Sequence, residues 1–186
     1  MANVDGPHGF RPLGHNGGGT PGRLNEYGIA TGYATNIFFG DMVKLLTGGV
    51  IDLCVADEVG AIGVFQGVSY VDAAGEQQFS KYWPASTTAT SIKALVADDP
   101  NELFVVQCDG TVALTDMGAN ANLIATHAGS TVTGRSKQEV SATTLTGTAQ
   151  LRMVRLYDAP DNSFATANPE IVVRINEHRS TNRTGI

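Results

Sequence analysis

The residues of this 186-residue chain that are best suited to bind zinc or to act as a general base are its four histidines. They are His8, His15, His127 and His178. None stands two or four residues from another, so the local sequence does not assemble a zinc site. No Gly-x-Ser-x-Gly motif occurs in the chain, so no nucleophilic serine of that type accompanies them.

Glycines and carboxylates form three further clusters that could do chemistry. Gly17-Gly18-Gly19 could wrap a phosphate with backbone N–H groups, but the lysine and the following helix of a phosphate loop are missing. The segment 98–102 could offer oxygens to calcium, yet it lacks the order of a calcium loop and is better interpreted as a solvated turn. Asp57-Glu58 and the pair Asp158 and Asp161 could act as paired carboxylates, but nothing in the sequence sets their separation. The sequence therefore predicts no catalytic residue, no metal and no cofactor, and a protein that is not an enzyme.

Charge sets limits on the partners. The chain carries a formal net charge of −6, which disfavours attraction of its body to nucleic-acid phosphates. The C-terminal stretch 174–186 departs from this, with Arg174, Arg179 and Arg183 against Glu177. An acidic body with a basic tail could dock on an acidic partner, although a short solvated tail is the simpler interpretation.

Targeting signals are not evident. The first ten residues contain no basic segment followed by an apolar one, and no apolar run approaches the length of a membrane span. We therefore expect no membrane partner and synthesis in a cytoplasm. Cys54 and Cys108 both lie in apolar, strand-like runs, which predicts buried free thiols, and a single disulfide between them stays open.

The elements that would position any site centre on residues 94–108. Two apolar runs flank Asp98-Asp99-Pro100-Asn101, whose carboxylates and proline are typical of a turn. The run from Leu103 to Val106 is continuously apolar, as expected for a strand covered on both faces. The pattern predicts strand, turn, strand, arranged as a central hairpin.

Six other segments have the apolar alternation or turn boundaries of strands: 37–46, 50–55, 61–72, 77–84, 150–157 and 171–177. Glycines within 61–72 predict a bulged strand, and 150–157 also carries the pattern of a bulge. Residues 114–125 suit a short helix or an ordered loop, and the polar stretch 130–147 suits an exposed loop or an edge hairpin. The predicted fold class is all-β, a jelly-roll-like sandwich or barrel of about eight short strands.

Residues 1–36 differ from the rest in being rich in glycine and proline, with apolar residues only at intervals. The intervals suit single anchors on an extended arm that becomes ordered on its own or a neighbour's surface. The candidate contact residues are Phe10, Leu13, Leu24, Tyr27 and Tyr33. The predicted organisation is an arm over 1–36, a β body over 37–177 and a basic tail over 178–186, and deletion of the arm is expected to leave a folded body.

Several short motifs, taken in their order along the chain, resemble the decoration or cement proteins of tailed-bacteriophage capsids. They are Ala2-Asn-Val-Asp-Gly-Pro-His-Gly-Phe-Arg-Pro12, Phe39-Gly-Asp-Met-Val43, Tyr82-Trp-Pro-Ala85, Val96-Ala-Asp-Asp-Pro-Asn-Glu-Leu-Phe104, Asp116-Met-Gly-Ala-Asn-Ala-Asn-Leu123 and Val172-Val-Arg-Ile-Asn-Glu-His178. None of these motifs is catalytic. The resemblance implies an all-β virion protein on the outer capsid surface, in contact with the major capsid protein as a homodimer or homotrimer, that stabilises the expanded shell.

Two other functions stay open at this stage. One is a different virion β module, such as a tail or fibre-base domain that binds glycan through an aromatic-lined groove. The other is a β-barrel enzyme of the cupin type, which is disfavoured because cupins need clustered histidines on strands.

Overall fold

Strands form nearly all of the regular structure. The computed structural model describes residues 3–19, 22–145 and 147–181. Within these ranges lie twelve strands: β1 (Arg11–His15), β2 (Leu24–Ile29), β3 (Met42–Leu45), β4 (Val50–Leu53), β5 (Ala61–Asp72), β6 (Gln77–Ser80), β7 (Ala89–Ala97), β8 (Glu102–Gln107), β9 (Asn120–Ile124), β10 (Glu139–Leu145), β11 (Leu151–Leu156) and β12 (Glu170–Ile175). The all-β prediction is confirmed, with more and shorter strands than the eight expected.

One sheet closes into a barrel. Its strand order is β3-β4-β2-β7-β5-β6, and β3 also pairs with β5, so five strands form a closed ring with β6 attached outside it. The β2–β4 pair is parallel and the other pairs of this sheet are antiparallel. Closure removes the open edges of those five strands and leaves β6 as the edge.

The second sheet is open and antiparallel throughout, with the order β1-β8-β12-β11-β9-β10. It packs one face against the outside of the barrel. The sequence predicted a sandwich or a barrel. The structure contains both arrangements, because the open sheet packs face to face on the closed barrel.

Two apolar clusters divide along these layers. One fills the barrel and includes Phe65 and Trp83, and the other lies between the barrel and the open sheet and includes Met42 and Phe104. Cys54 and Cys108 are both in the second cluster as buried free thiols, which confirms the prediction for the cysteines. Burial raises the pKa of each thiol to about 12, so both are neutral at physiological pH.

Two buried glutamines connect the layers with hydrogen bonds. Gln138 Oε1 accepts from the N–H of Met42 at 2.7 Å, and Gln138 Nε2 donates to the carbonyl of Cys54 at 3.4 Å. Gln150 accepts from the N–H of Leu123 at 3.1 Å and donates to the carbonyl of Val55 at 2.7 Å. Each side chain satisfies backbone groups that would otherwise be buried without a partner.

The predicted central hairpin is wrong in its pairing. The strands and turn are where the sequence placed them, but β7 pairs with β2 and β5 in the barrel, whereas β8 pairs with β1 and β12 in the open sheet. The turn at Asp98–Asn101 therefore carries the chain from one layer to the other. Both strands are buried by neighbours distant in sequence, which a local apolar pattern cannot identify.

The predicted arm is part of the body. β1 pairs with β8 in the open sheet, and β2 completes the barrel between β4 and β7. The boundary at residue 36 thus falls inside the barrel unit. The few apolar residues of the segment are ordered by strand pairing and by burial against other elements, which offsets the chain entropy of its glycines.

The predicted tail also begins inside the fold. His178 is 1% exposed, Ala61 and His178 form a parallel bridge, and the N–H of Arg179 donates to the carbonyl of Ala61 at 2.8 Å. Burial lowers the pKa of His178. Residues 182–186, including Arg183, lie outside the described residues.

The predictions of individual strands and bulges were more accurate than the prediction of which strands pair. β5 spans 61–72 as expected and has register shifts beside Gly67, and β11 has a bulge between Met153 and Arg155. Residues 114–125 contain a short 3-10 helix at Leu114–Asp116 followed by β9. The described residues contain no helix of the length and apolarity needed to cross a membrane.

Candidate interaction surface

Phe10, the first predicted contact residue, is not available to a neighbour. Its side chain is fully buried between the layers, and its N–H donates to the carbonyl of Gly40 at 2.9 Å. A methyl group on the adjacent Gly9 would lie 2.4 Å from Cβ of Ser136, so the chain enters the core through a gap that only glycine leaves open.

Tyr27 and Tyr33 are also internal anchors. Both are half-buried and pack against the barrel cluster. The Tyr27 hydroxyl donates to Asp98 at 2.5 Å, and the Tyr33 hydroxyl donates to Asp52. Burial, followed by the hydrogen bond to a carboxylate, raises the pKa of Tyr27 and raises that of Tyr33 to about 12. Both phenols therefore remain protonated donors at physiological pH.

Leu13 and Leu24 lie at the surface of the two sheets. Leu13 packs on the small apolar cluster on the outer face of the open sheet, beside Leu103 and Val172. Leu24 is 40% exposed at the start of β2. Of the five predicted contact residues, Leu24 is thus the one that the fold leaves substantially open to a partner.

Leu24 lines a depression of about 510 Å³ that we call the basic groove. Its walls come from both sheets, and the residues lining it are Arg11, Pro12, Gly22, Leu24, Phe39, Gln66, Ala97 and Arg135. The lining combines apolar side chains with two arginines and includes no carboxylate. It is formed where β1 and β2 meet β5, β7 and the segment around Phe39.

The two arginines of the basic groove differ in their partners. Arg11 Nη2 lies 3.1 Å from both oxygens of Glu170, so its charge is partly balanced. Arg135 is exposed and forms no salt bridge with the described residues. The backbone of Arg135 bridges to Phe39, which places the residue at the edge of the groove. In a chain of net charge −6 this is a locally cationic, partly apolar surface.

A second depression of about 420 Å³ adjoins the basic groove, and Gln66 lines both. It lies on the outside of the barrel beside Phe79 of β6 and Leu95 of β7. Phe79 is 83% exposed. Lys81 lies at its margin, with Nζ 5.2 Å from the centre of the Phe39 ring, a cation–π contact.

Three of the histidines lie beside carboxylates. His8 contacts Glu170 at 2.9 Å, and His127 contacts the buried Glu139 at 3.1 Å. His15 lies 3.7 Å from Glu102, whose Oε2 accepts the N–H of Gly22. Burial raises the pKa of Glu102 and of Glu139. Within the described ranges, no group of three or more His, Cys, Asp or Glu residues is arranged to hold a metal ion.

The acidic turn uses its oxygens internally. Asp98 accepts from Asn25 and Tyr27, and Asp99 accepts the N–H of Asn101 at 2.7 Å. Glu58 of the other acidic cluster accepts from Lys44 at 2.6 Å. These contacts explain the carboxylates as turn and strand anchors.

A smaller cleft of about 220 Å³ lies between the barrel and residues 125–129. Asp41 lines it, is 4% exposed, and accepts the N–H of Phe38 at 2.7 Å. Burial raises the pKa of Asp41 to about 6. Ser136 is a further side-chain hydrogen-bond partner of this carboxyl group.

The contact residues predicted from the sequence do not include Phe79, Phe39, Gln66 or Arg135. The sequence did contain one indication of an exposed contact residue, because Phe79 is a large apolar residue in the otherwise polar run Gln77–Ser80. Phe39 and Arg135 are 96 positions apart, and only folding brings them together.

Comparison with known proteins gave no relative: no protein-family model, no curated protein and no solved structure matches this chain.

Proposed function

We propose that this chain is a structural virion protein that decorates the outer surface of a tailed-phage head and binds neighbouring major capsid subunits. In this proposal it stabilises the expanded shell, has no catalytic activity or cofactor, and is made in the host cytoplasm. The supporting observation is the basic groove, an open surface feature that combines the exposed Leu24 and the half-buried Phe39 with the unbalanced charge of Arg135. Open, mixed apolar and cationic surfaces suit a protein partner.

The groove chemistry defines the capsid segment expected to bind there. Arg135 would pair with a carboxylate, and Leu24 with Pro12 would cover an apolar side chain. An extended capsid segment with alternating acidic and apolar residues meets both requirements. The net charge of −6 is consistent with a place on the outside of the shell, away from packaged DNA.

Each groove would supply a modest free energy of binding. Many copies that each contact more than one capsid subunit would stabilise the lattice by mass action, because each copy binds the assembled shell and not the separated subunits. Two packed sheets are rigid, so the protein would lose little conformational entropy when it binds the capsid.

The test is co-sedimentation of the full chain with expanded, undecorated shells of the phage that encodes it, together with thermal melting of the shells. We expect saturable binding and an increase in the melting temperature of the shell. Leu24→Ser should weaken binding, whereas Leu46→Ser should not. Leu46 is a matched control because it is 39% exposed and lies in the turn between β3 and β4.

Charge reversal gives a second pair of variants. Arg135→Glu should lower affinity at least tenfold, whereas Arg155→Glu, at an exposed position on β11 outside the groove, should bind like the unmodified chain. Failure of the unmodified chain to bind shells would overturn the proposal. Binding to glycans in that case would favour the tail or fibre-base alternative.

A further inference from the structure

The turn that follows β1 contains the one Asn-Gly pair of the sequence, at Asn16 and Gly17. The side-chain amide of an asparagine can react with the backbone nitrogen of the next residue and close a five-membered succinimide ring. Glycine favours this reaction, because it has no side chain to shield its nitrogen and it allows the widest range of backbone conformations. The pair is therefore the position of the chain where this chemistry is least hindered by the sequence.

The fold holds this turn at its base and leaves its tip open. The N–H of Gly18 donates to the carbonyl of His15 at 2.9 Å, so Asn16 and Gly17 are the two central residues of the turn. The N–H of Asn16 donates to the carbonyl of Asn101 at 3.0 Å. Asn16 and Gly17 are both exposed, and a methyl group added at Gly17 would meet no atom within 4 Å. The tip thus has room for the backbone rotation that brings the Gly17 nitrogen to the Asn16 side chain.

Asn162 gives a comparison within the same chain, because the residue after it, Ser163, is also small and polar. Four hydrogen bonds hold the Asn162 side chain. Its Oδ1 accepts from the N–H of Glu170 at 3.0 Å and from Nδ2 of Asn3 at 2.9 Å. Its Nδ2 donates to the carbonyls of Tyr157 and Glu170, both at 2.7 Å. Ring closure at Asn162 would break these bonds, so the fold protects this residue.

We infer that Asn16 is a site of spontaneous deamidation in the folded protein. The backbone nitrogen of Gly17 gives up its proton to water or hydroxide and attacks Cγ of Asn16. A C–N bond forms, the bond from Cγ to Nδ2 breaks, and the side-chain nitrogen takes up a proton and leaves as ammonia. Water then opens the ring at Cγ to give aspartate, or at the backbone carbonyl carbon of Asn16 to give isoaspartate. The net reaction consumes one water and releases one ammonia.

Either product changes the charge of an acidic corner of the protein. The ring of His15, the residue before Asn16, lies 3.7 Å from a carboxylate oxygen of Asp99 and 3.7 Å from one of Glu102. Deamidation adds one negative charge next to this group, in a chain whose net charge is already −6. The isoaspartate product also lengthens the main chain between β1 and β2 by one carbon atom. The modification does not depend on the proposed function, so the two fail separately.

The test is incubation of the full chain at physiological temperature and mildly alkaline pH, followed by mass spectrometry of the peptides that contain Asn16 and Asn162. Alkaline pH speeds the reaction, because the attacking nitrogen must lose its proton. We expect the mass increase of an amide-to-acid change at Asn16, with a rate at least tenfold higher than at Asn162. In water enriched in heavy oxygen, the product should carry one labelled oxygen atom. Labelling by an isoaspartyl methyltransferase should detect the isoaspartate fraction.

Two variants test the chemistry of the turn. Gly17→Ala adds a methyl group beside the attacking nitrogen, in open space, so it should leave the fold intact and slow the reaction at least tenfold. Asn16→Gln should abolish the rapid reaction at this position, because the longer side chain would have to close a six-membered ring. Circular dichroism of both variants would establish that the fold is unchanged.

Unfolding in guanidinium chloride separates the effect of the fold from that of the sequence. The unfolded chain loses the four hydrogen bonds of Asn162, so the ratio of the Asn16 rate to the Asn162 rate should become smaller than in the folded chain. Three results would each overturn the inference: an Asn16 that reacts only in the unfolded chain, equal rates at Asn16 and Asn162 in the folded chain, or a rate that Gly17→Ala does not change.

Discussion

The rings of Phe10 and Phe104 meet edge to face, with centroids 6.5 Å apart and planes at 85°. The contact joins the glycine-rich N-terminal segment to β8, in the cluster between the barrel and the open sheet. Edge-to-face aromatic pairs add to the free energy gained from burial. Phe10 is therefore a core residue of the protein.

Phe10→Ala should lower the free energy of unfolding by about 3–5 kcal/mol, because it leaves a cavity against Phe104. Leu24→Ala, at a 40% exposed position of the same segment, should cost much less. Urea denaturation followed by fluorescence measures both. Equal effects of the two substitutions would mean that Phe10 lies on the surface.

Deletion of residues 1–36 should abolish the folded state instead of leaving a folded body. It removes β1, Phe10 and β2, and without β2 the barrel is open between β4 and β7. Deletion of residues 1–5 should leave a cooperative thermal transition, because it spares Phe10 and both strands. A cooperative transition in the longer deletion would show that the barrel does not need β2.

Gln138→Leu should destabilise the fold by about 1–3 kcal/mol, because the N–H of Met42 and the carbonyl of Cys54 lose their partner. Gln77→Leu, at an exposed position, is the control. Urea denaturation at low protein concentration compares the two variants. A neutral Gln138→Leu would mean that these backbone groups find other partners.

Titration of Asp41 should lower the free energy of unfolding as the pH rises from about 4 to 6. Its pKa is raised to about 6 in the folded chain by burial. The folded state therefore holds a proton that the unfolded chain has already released, and ionisation above pH 6 places a charge in the interior. The unmodified chain should lose about 3 kcal/mol relative to Asp41→Asn between pH 4 and pH 7.

Urea denaturation of the two proteins across this pH range measures the difference. Taking the difference between them cancels the titration of the other groups they share. A difference that does not change with pH would show that Asp41 is ionised at an ordinary pKa in the folded protein.

Gly63→Ala should cost about 3 kcal/mol or more, because the added methyl group would lie 2.2 Å from the carbonyl oxygen of Ala97 on β7. Backbone atoms form this contact, so they cannot move aside as a side chain can. Gly17→Ala has no atom within 4 Å of the added methyl and should change stability by less than about 0.5 kcal/mol. Thermal melting compares the two, and a similar melting temperature for both would show that β5 and β7 can separate at this point.

The surface proposed for binding could be predicted only in part from the sequence. Leu24 was among the predicted contacts and lies in the basic groove, but Phe10, Tyr27 and Tyr33 are internal. Spacing in a glycine-rich segment identifies apolar residues that must be covered by something. It does not say whether the cover comes from the same chain or from a partner.

The sequence by itself determined the all-β class, the extent of β5, the bulge of β11, the turns and the burial of Cys54 and Cys108. These features follow from alternation, turn chemistry and apolar content, which act over a few residues.

Only the tertiary structure decided that β7 and β8 belong to different layers, that β2 closes the barrel and that β6 remains open. The physical reason is that strand pairing and face burial depend on residues far apart in the chain. A continuously apolar strand pattern predicts that both faces of the strand are covered. Which elements cover them depends on the packing of the whole domain.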